Sequence, residues 1–157
     1  SAEVSYEGEL AVVIGRICKQ VPIERAAEVI FGYTVANDVT ARDWQRDDGQ
    51  WTRAKGSDTF CPLGPWIVTH LGIEEASDLA IRTTVDGALR QDGTTGQMIH
   101  GIAELVAYCS SFATLLPGDV ILTGTPAGVG QVAPGQRIDV TIDEIGTLSN
   151  PMIAEEA

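Results

Sequence analysis

Glycine interrupts this chain at short intervals, and the apolar runs between the glycines are only a few residues long. The sequence holds 17 glycines and 7 prolines among 157 residues, and 44% of its residues are hydrophobic. Short apolar runs between turn-forming residues are typical of strands, and this hydrophobic content is sufficient for one folded core. The pattern therefore predicts a β-rich α+β fold in a single domain, residues 1–157, with about two helices.

Local signals place individual elements along the chain. Asp86-Gly87 lies between two apolar runs and predicts a β-hairpin over 79–93. Apolar residues recur at three- and four-residue spacing over 98–115 and predict the main helix. A shorter helix over 23–32 is predicted to end at Gly32. Further strands are predicted at 9–18, 33–38, 66–70 and 119–124 and, as a pair, within 137–150, whereas 39–65 is predicted to be an irregular polar loop.

The net charge and the cysteine content indicate which binding partners and which cellular compartment to expect for this protein. The formal net charge is −12, so the surface repels phosphate backbones and nucleic acid is not an expected partner. No apolar stretch is long enough to cross a membrane, and no signal peptide is visible. Cys18, Cys61 and Cys109 form no CxxC pair, which predicts reduced, buried thiols in a cytoplasmic protein.

Two glutamates stand at the start of the first predicted strand, in the segment YEGELAVVIG. Because side chains alternate along a strand, Glu7 and Glu9 point to the same side, roughly 7 Å apart at the backbone. Burial of an unpaired carboxylate is unfavourable, so either water covers this face or a positive group lies between the two carboxylates. A solvated strand end and a site for a hard cation with oxygen ligands are both consistent with the segment.

Other polar residues follow predicted strands elsewhere in the chain. Asn37-Asp38 ends the strand at 33–38, and the segment 123–126, with sequence TGTP, follows the strand at 119–124. The polar loop adds Arg42, Gln45 and Lys55. This set of carboxylates, cations, an amide and a hydroxyl suits Mg²⁺, Mn²⁺ or Ca²⁺ together with an anionic ligand. On spacing alone, separate surface turns are the favoured interpretation of these pieces.

Several segments, taken in order, carry a family resemblance: YEGELAVVIG, GYTVANDVTARDWQ, WTRAKGSDTFCPLGP, LLPGDVILTGTPAGVG and IGTLSNPM. From about Tyr6 to Met152 the chain resembles the C-terminal catalytic domain of the fumarylacetoacetate hydrolase (FAH) superfamily. The KGSDTFCPLGP segment looks most like bacterial 2-hydroxyhepta-2,4-diene-1,7-dioate isomerases, and it is also similar to acylpyruvate hydrolases and oxaloacetate decarboxylases. The resemblance implies a mixed β-sandwich roll that assembles as a homodimer.

The resemblance also implies a metal site. Glu7 and Glu9 match the family's E-x-E pair, and Asp38 matches the aspartate of its N-D pair. In the family these three side chains bind one divalent ion, so the expected cofactor is Mg²⁺ or Mn²⁺, with Ca²⁺ also possible. A bound cation would be the positive group that Glu7 and Glu9 require if water does not cover them.

Substrate-handling residues are implied in the same way. Lys55 matches the family's lysine and is the expected catalytic residue, Arg42 and Gln45 match its substrate-contacting arginine and glutamine, and Thr125 matches the threonine that helps to hold the substrate carboxylate. Family substrates are 2-oxo acids or their enols. A cation acts as a Lewis acid on the developing enolate, and Lys55 would add a second positive charge in a site sheltered from water.

One part of the family's active site has no match in this sequence. Family hydrolases take a histidine–glutamate arrangement from a segment before the E-x-E strand, and this chain begins too late to contain it, so an N-terminal segment is expected to be absent. His70 is predicted to be exposed and His100 to lie in the main helix, both with structural roles. The general acid or base is therefore unassigned. Glu155-Glu156 is predicted to be a frayed acidic end.

Three functional hypotheses result. The first is a metal-dependent isomerase or decarboxylase that acts on a small oxo-diacid or 2-hydroxydienoic diacid in the degradation of an aromatic compound. The second is a C–C bond hydrolase of the acylpyruvate or fumarylacetoacetate type, or an oxaloacetate decarboxylase. The third is a metal-stabilised domain that binds a dicarboxylate or a partner chain without catalysis.

Overall fold

The computed structural model describes residues 1–154, and the predicted frayed end at Glu155-Glu156 lies outside that range. Within it, eleven strands form three antiparallel sheets. The strands are β1 (Val4–Tyr6), β2 (Gly8–Ile14), β3 (Ile30–Asn37), β4 (Thr40–Ala41), β5 (Leu63–Val68), β6 (Ala80–Val85), β7 (Ala88–Thr94), β8 (Val120–Leu122), β9 (Gly130–Gln131), β10 (Arg137–Ile142) and β11 (Gly146–Pro151). The α-helices are α1 (Arg42–Asp48), α2 (Thr52–Gly56), α3 (Ile73–Ala76) and α4 (Ile102–Phe112), and 3₁₀ turns cover Ile23–Glu28 and Thr95–Gln97.

Two four-stranded sheets pack against each other and enclose the core. One has the strand order β5-β3-β2-β8 and the other β11-β10-β6-β7, while the small third sheet has the order β4-β1-β9. Every residue of β2 is buried. Leu10 and Val12 of this strand belong to the same buried cluster as Ile81 and Val140 of the facing sheet. This two-layer arrangement confirms the predicted β-rich fold.

The conformation of the turn residues Asp86 and Gly87 places the hairpin at the predicted position. Strands β6 and β7 pair as expected, with Asp86 at φ 51° and Gly87 at φ 78°. Two consecutive left-handed residues are the requirement of a type I′ turn, and aspartate followed by glycine adopts that conformation with little strain. The strands predicted at 66–70, at 119–124 and within 137–150 are also present, as β5, β8 and the pair β10–β11.

The predicted boundaries are wrong at the first strand and at the shorter helix. β2 ends at Ile14 rather than at residue 18, since the chain leaves the sheet there and Cys18 forms only an isolated bridge. The shorter helix is a 3₁₀ turn, and Gly32 lies inside β3 instead of ending a helix. A Cβ atom at Gly32 would lie 2.2 Å from the carbonyl oxygen of Val68, so glycine permits the close approach of β5.

Three further predictions need correction. The segment 39–65 is not an irregular loop, because it contains β4, α1 and α2. The main helix begins only at Ile102, so His100 precedes it, although both histidines are exposed. All three cysteines are free; Cys18 is buried as predicted, whereas Cys61 and Cys109 are only partly buried. Among the described residues, no helix has the length and apolar character needed to span a bilayer.

Candidate metal and substrate site

The antiparallel pairing of β2 with β3 brings two glutamates next to an aspartate. Gly8 pairs with Asn37, and the backbone N–H of Asp38 donates to the carbonyl oxygen of Glu7 at 2.8 Å. Carboxylate oxygens of Glu7, Glu9 and Asp38 lie within 4.8 Å of one another, and each of these residues is at most 8% exposed. We call these three residues the acidic cluster. A solvated strand end is therefore excluded.

The residue between the two glutamates must be very small. Side chains of β2 alternate, so the position of Gly8 faces the second sheet while its neighbours face the acidic cluster. A Cβ atom on Gly8 would lie 2.3 Å from Thr83 Oγ1 and 2.9 Å from Val140 Cγ1. Glycine thus lets the second sheet approach the strand that carries the two glutamates.

The helix α2 brings an ammonium group to the acidic cluster. Lys55 Nζ donates to Glu7 Oε2 at 2.9 Å, to Thr40 Oγ1 at 3.0 Å and to Asp38 Oδ2. The lysine side chain is only 22% exposed. Its positive charge therefore neutralises part of the cluster in a partly buried environment.

The helix α1 supplies a second cation. Arg42 Nη2 donates to Glu7 Oε1, and Arg42 Nη1 donates to Gln45 Oε1 at 2.9 Å. Glu7 is thus held from both sides, since Lys55 contacts its other oxygen. The structure brings the predicted substrate residues Arg42 and Gln45 to the edge of the acidic cluster.

The turn at residues 123–126 contacts the acidic cluster at Glu9, which neither α1 nor α2 reaches through a hydrogen bond. The Gly124 N–H donates to Glu9 Oε2 at 2.7 Å, and Gly124 has φ +95°, a conformation that favours glycine. Thr125 Oγ1 donates to the carbonyl oxygen of Gly8 at 2.8 Å. All seven predicted site residues therefore meet in one region, although they come from distant parts of the sequence.

Burial dominates the electrostatics of the acidic cluster. It raises the pKa of Glu9 to about 7, and the charges of Asp38 and Glu7 act in the same direction, against the Gly124 N–H and Lys55. Burial likewise raises the pKa of Asp38, although the ammonium of Lys55 opposes it. Burial alone would lower the pKa of Lys55, but its hydrogen bonds to Asp38 and Glu7 outweigh this effect and leave the pKa raised.

The residues present fit a divalent cation. When ionised, the acidic cluster carries three negative charges, and Lys55 and Arg42 supply two positive ones, which leaves one negative charge in excess. A divalent ion would reverse that excess to one positive charge and so favour an anionic ligand. Closely spaced carboxylate oxygens are the ligands that Mg²⁺, Mn²⁺ and Ca²⁺ prefer.

A cavity of about 570 Å³ adjoins the 123–126 turn. It is lined in part by Leu10, Met98, Gly124 and Thr125, but by none of the three acidic residues. The cavity therefore lies beside the acidic cluster and does not contain it. The carboxylates and their hydrogen bonds, rather than this cavity, indicate the metal site.

Two residues at this site carry no signal in the sequence. Gln91, which is fully buried, accepts from the Gly8 N–H at 3.0 Å and donates to Thr125 Oγ1 at 2.7 Å. Thr40, also fully buried, accepts from Lys55 and donates to the carbonyl oxygen of Asp38 at 2.8 Å. Glutamine and threonine are common strand and loop residues, so neither type indicates a site by itself.

Comparison with known proteins identifies the class. Residues 1–153 match the family model of the fumarylacetoacetate (FAA) hydrolase C-terminal domain, and the chain belongs to this family. A 2-hydroxyhepta-2,4-diene-1,7-dioate isomerase from Mycobacterium marinum superposes with a TM-score of 0.96 at 54% identity, over 100% of this chain and 61% of that one. A 5-carboxymethyl-2-hydroxymuconate delta-isomerase from Mycobacterium smegmatis superposes with a TM-score of 0.95 at 57% identity, over 99% and 61% of the two chains.

Relatives with other activities share the same domain. The oxaloacetate tautomerase YisK of Bacillus subtilis is 46% identical over an alignment of 157 positions, which covers 96% of this chain and 52% of that protein. A maleylpyruvate hydrolase from Sphingobium sp. SYK-6, solved with manganese(II) and pyruvate, has a TM-score of 0.89 at 38% identity, over 98% and 56% of the two chains. The chain thus spans between half and two thirds of the length of these proteins.

Proposed function

We propose that the intact protein is a divalent-metal-dependent enzyme that isomerises or decarboxylates a small oxo-diacid of the 2-hydroxyhepta-2,4-diene-1,7-dioate type. The observation that carries this proposal is the acidic cluster, in which three buried carboxylates converge beside a lysine. Two proteins named as isomerases support isomerisation as the reaction class, since they are 57% and 54% identical to this chain over 61% of their own length. The manganese in a related hydrolase structure supports the cofactor class.

We assign the roles as follows. Glu7, Glu9 and Asp38 would hold Mg²⁺ or Mn²⁺, with Ca²⁺ as a third possibility, and the bound ion supplies Lewis-acid stabilisation of enolate charge. Lys55 places a further positive charge within hydrogen-bond distance of two of these carboxylates, where it favours an enolate in the same site.

The cationic edge of the site would orient the substrate. Arg42, which is already paired with Glu7 and Gln45, presents a guanidinium group suited to a carboxylate. Gln45 offers an amide beside it, and Thr125 belongs to the turn whose Gly124 N–H donates to Glu9. Fixing the acid in one orientation contributes to rate because it removes the entropy of alignment.

Metal binding tests the first part of the proposal independently of activity. Titration of metal-free protein with Mn²⁺ or Mg²⁺ in a calorimeter should give one site, and Glu9→Gln should weaken the affinity by about tenfold or more. Glu74→Gln is the matched control, because Glu74 is exposed and remote in sequence from the cluster. Absence of binding to wild-type protein, or equal affinities for Glu9→Gln and wild type, would refute the proposed site.

Replacement of Lys55 should separate binding from catalysis. Like charges repel, and the Lys55 ammonium lies within hydrogen-bond distance of Glu7 and Asp38, so Lys55→Met should tighten Mn²⁺ binding by about tenfold, which corresponds to roughly 1.4 kcal/mol. The same change should abolish turnover. Lys19→Met is the control, because Lys19 is exposed and is the other lysine in the sequence. Retained turnover in Lys55→Met would remove this residue from the mechanism.

Product analysis distinguishes the reaction classes. Isomerisation or tautomerisation conserves mass, decarboxylation releases CO₂, and C–C hydrolysis yields two acids. Hydrolysis is the second candidate because a maleylpyruvate hydrolase shares this domain. Incubation of the intact protein with Mn²⁺ and a panel of oxo-diacids, including oxaloacetate, would decide between them. No conversion of any member of the panel would favour a non-catalytic dicarboxylate-binding domain. A homodimer and a cytoplasmic location remain predictions.

A further inference from the structure

The side chain of Gln91 links the strand that carries the glutamates to the 123–126 turn. This residue is fully buried in β7. Its Oε1 accepts from the Gly8 N–H at 3.0 Å, while its Nε2 donates to Thr125 Oγ1 at 2.7 Å and to the Pro126 carbonyl oxygen at 2.9 Å. The carboxamide therefore has a partner for each of its two N–H groups and for its oxygen.

These contacts determine the direction of the Thr125 hydroxyl. The backbone carbonyl of Pro126 can only accept, so it must face the NH₂ group of Gln91, and Thr125 Oγ1 must accept from that same group. The single hydroxyl hydrogen of Thr125 then goes to the Gly8 carbonyl oxygen at 2.8 Å. In this arrangement the hydroxyl has no hydrogen left for a substrate carboxylate. The backbone N–H of Thr125 has no hydrogen-bond acceptor within residues 1–154.

We infer that Gln91 is a positioning residue for the acidic cluster. It fixes the Thr125 hydroxyl on Gly8 and thereby holds the turn where the Gly124 N–H reaches Glu9 at 2.7 Å. This inference rests on the proposed function for the metal, but the positioning itself is a property of the metal-free protein.

Amide hydrogen exchange in the metal-free protein tests the positioning. Gln91→Met keeps the size of the side chain and removes all three hydrogen bonds. Because the Gly124 N–H donates to Glu9 and not to Gln91, faster exchange of this N–H would report movement of the turn rather than the loss of a direct hydrogen bond. Gln131→Met is the control, since Gln131 is exposed in β9. Unchanged exchange at Gly124, with or without a lower melting temperature, would overturn the inference.

Metal affinity provides the second measurement. Gln91→Met should weaken Mn²⁺ binding by about tenfold, the usual effect of removing a residue that orients metal ligands. Thr125→Val should have a similar effect, Thr125→Ser should retain wild-type affinity, and the double variant Gln91→Met/Thr125→Val should be no weaker than the poorer single variant.

Two outcomes separate this inference from the proposed function. If Gln91→Met fails to fold, Thr125→Val tests the same hydrogen bonds between Gln91, Thr125 and Gly8 from a partly exposed position. Wild-type exchange at Gly124 together with wild-type Mn²⁺ affinity in that variant would overturn the inference. If wild-type protein binds no Mn²⁺, the proposed function fails, while the exchange experiment still decides whether Gln91 holds the turn.

Discussion

Raising the pH from 5 to 7.5 should destabilise the metal-free protein through Glu9. Burial raises the pKa of this carboxyl from 4.5 to about 7. The folded state therefore holds the proton more tightly than the unfolded state does. The resulting stabilisation is fully present below pH 4.5 and is lost as the pH rises through about 7.

The size of the effect follows from the difference between the two pKa values. Each unit of difference in pKa corresponds to 1.36 kcal/mol, so the change in the pKa of Glu9 from 4.5 to about 7 contributes about 3 kcal/mol to the free energy of unfolding. Roughly 2 kcal/mol of this contribution is lost between pH 5 and 7.5. Glu9 is 3% exposed, so solvent screening reduces this value little. Asp38 contributes with the same sign. Carboxyls with a lowered pKa, such as Asp43 at about 2, act in the opposite direction but change protonation at lower pH.

Urea denaturation between pH 5 and 7.5 in the presence of a chelator measures this dependence. Wild-type protein should lose free energy of unfolding across the window, whereas Glu9→Gln, which has no proton to release, should give a flatter profile. Saturating Mn²⁺ should reverse the wild-type trend, because a metal requires the ionised carboxylate and displaces the proton. Parallel pH profiles for wild type and Glu9→Gln would refute the reasoning.

Three substitutions test the packing around the site and the hairpin, with urea denaturation as the measurement. Gly8→Ala places a methyl group 2.3 Å from Thr83 Oγ1 and should lower the free energy of unfolding by about 1–3 kcal/mol, and Thr83→Ala should restore part of this loss. Wild-type stability of Gly8→Ala would mean that the second sheet moves away without an energetic cost. Thr83→Val should stabilise by about 1 kcal/mol, because this buried hydroxyl has no partner among the described residues; a loss of stability would indicate that a bound water satisfies it. Gly87→Ala, at φ 78°, should cost about 1 kcal/mol, and no change would mean that the turn relaxes.

Elements that depend on local chemistry could be predicted from the sequence. The β6–β7 hairpin is specified by Asp86-Gly87, and the position of α4 follows from its apolar spacing. The helix α1 could not be found in this way, because none of its residues is buried and it has no apolar stripe for periodicity to detect. The 3₁₀ turn at Ile23–Glu28 has the sequence pattern of a longer helix, because its apolar residues continue directly into β3.

The acidic cluster could be anticipated only through resemblance to a family. The Gly124 N–H and the Glu9 carboxylate that it contacts are separated by 115 residues, and Lys55 and Glu7 by 48. Sheet register and the packing of α2 determine these approaches, and neither is encoded in local spacing. The role of Gln91 cannot be predicted from local spacing for the same reason, since its three partners lie on β2 and on the turn that follows β8.

The acidic cluster reduces the stability of the fold that builds it. The strand β2 is otherwise buried and apolar, and an apolar residue at position 9 would avoid the desolvation that raises the pKa of Glu9. The two cations do not fully compensate, because both contact Glu7, only Lys55 also reaches Asp38, and neither donates to Glu9. A carboxylate buried in this way is favourable only when a further positive charge occupies the space between the three oxygens. The same imbalance that weakens the metal-free protein near neutral pH would therefore favour binding of the divalent ion that the proposed function requires.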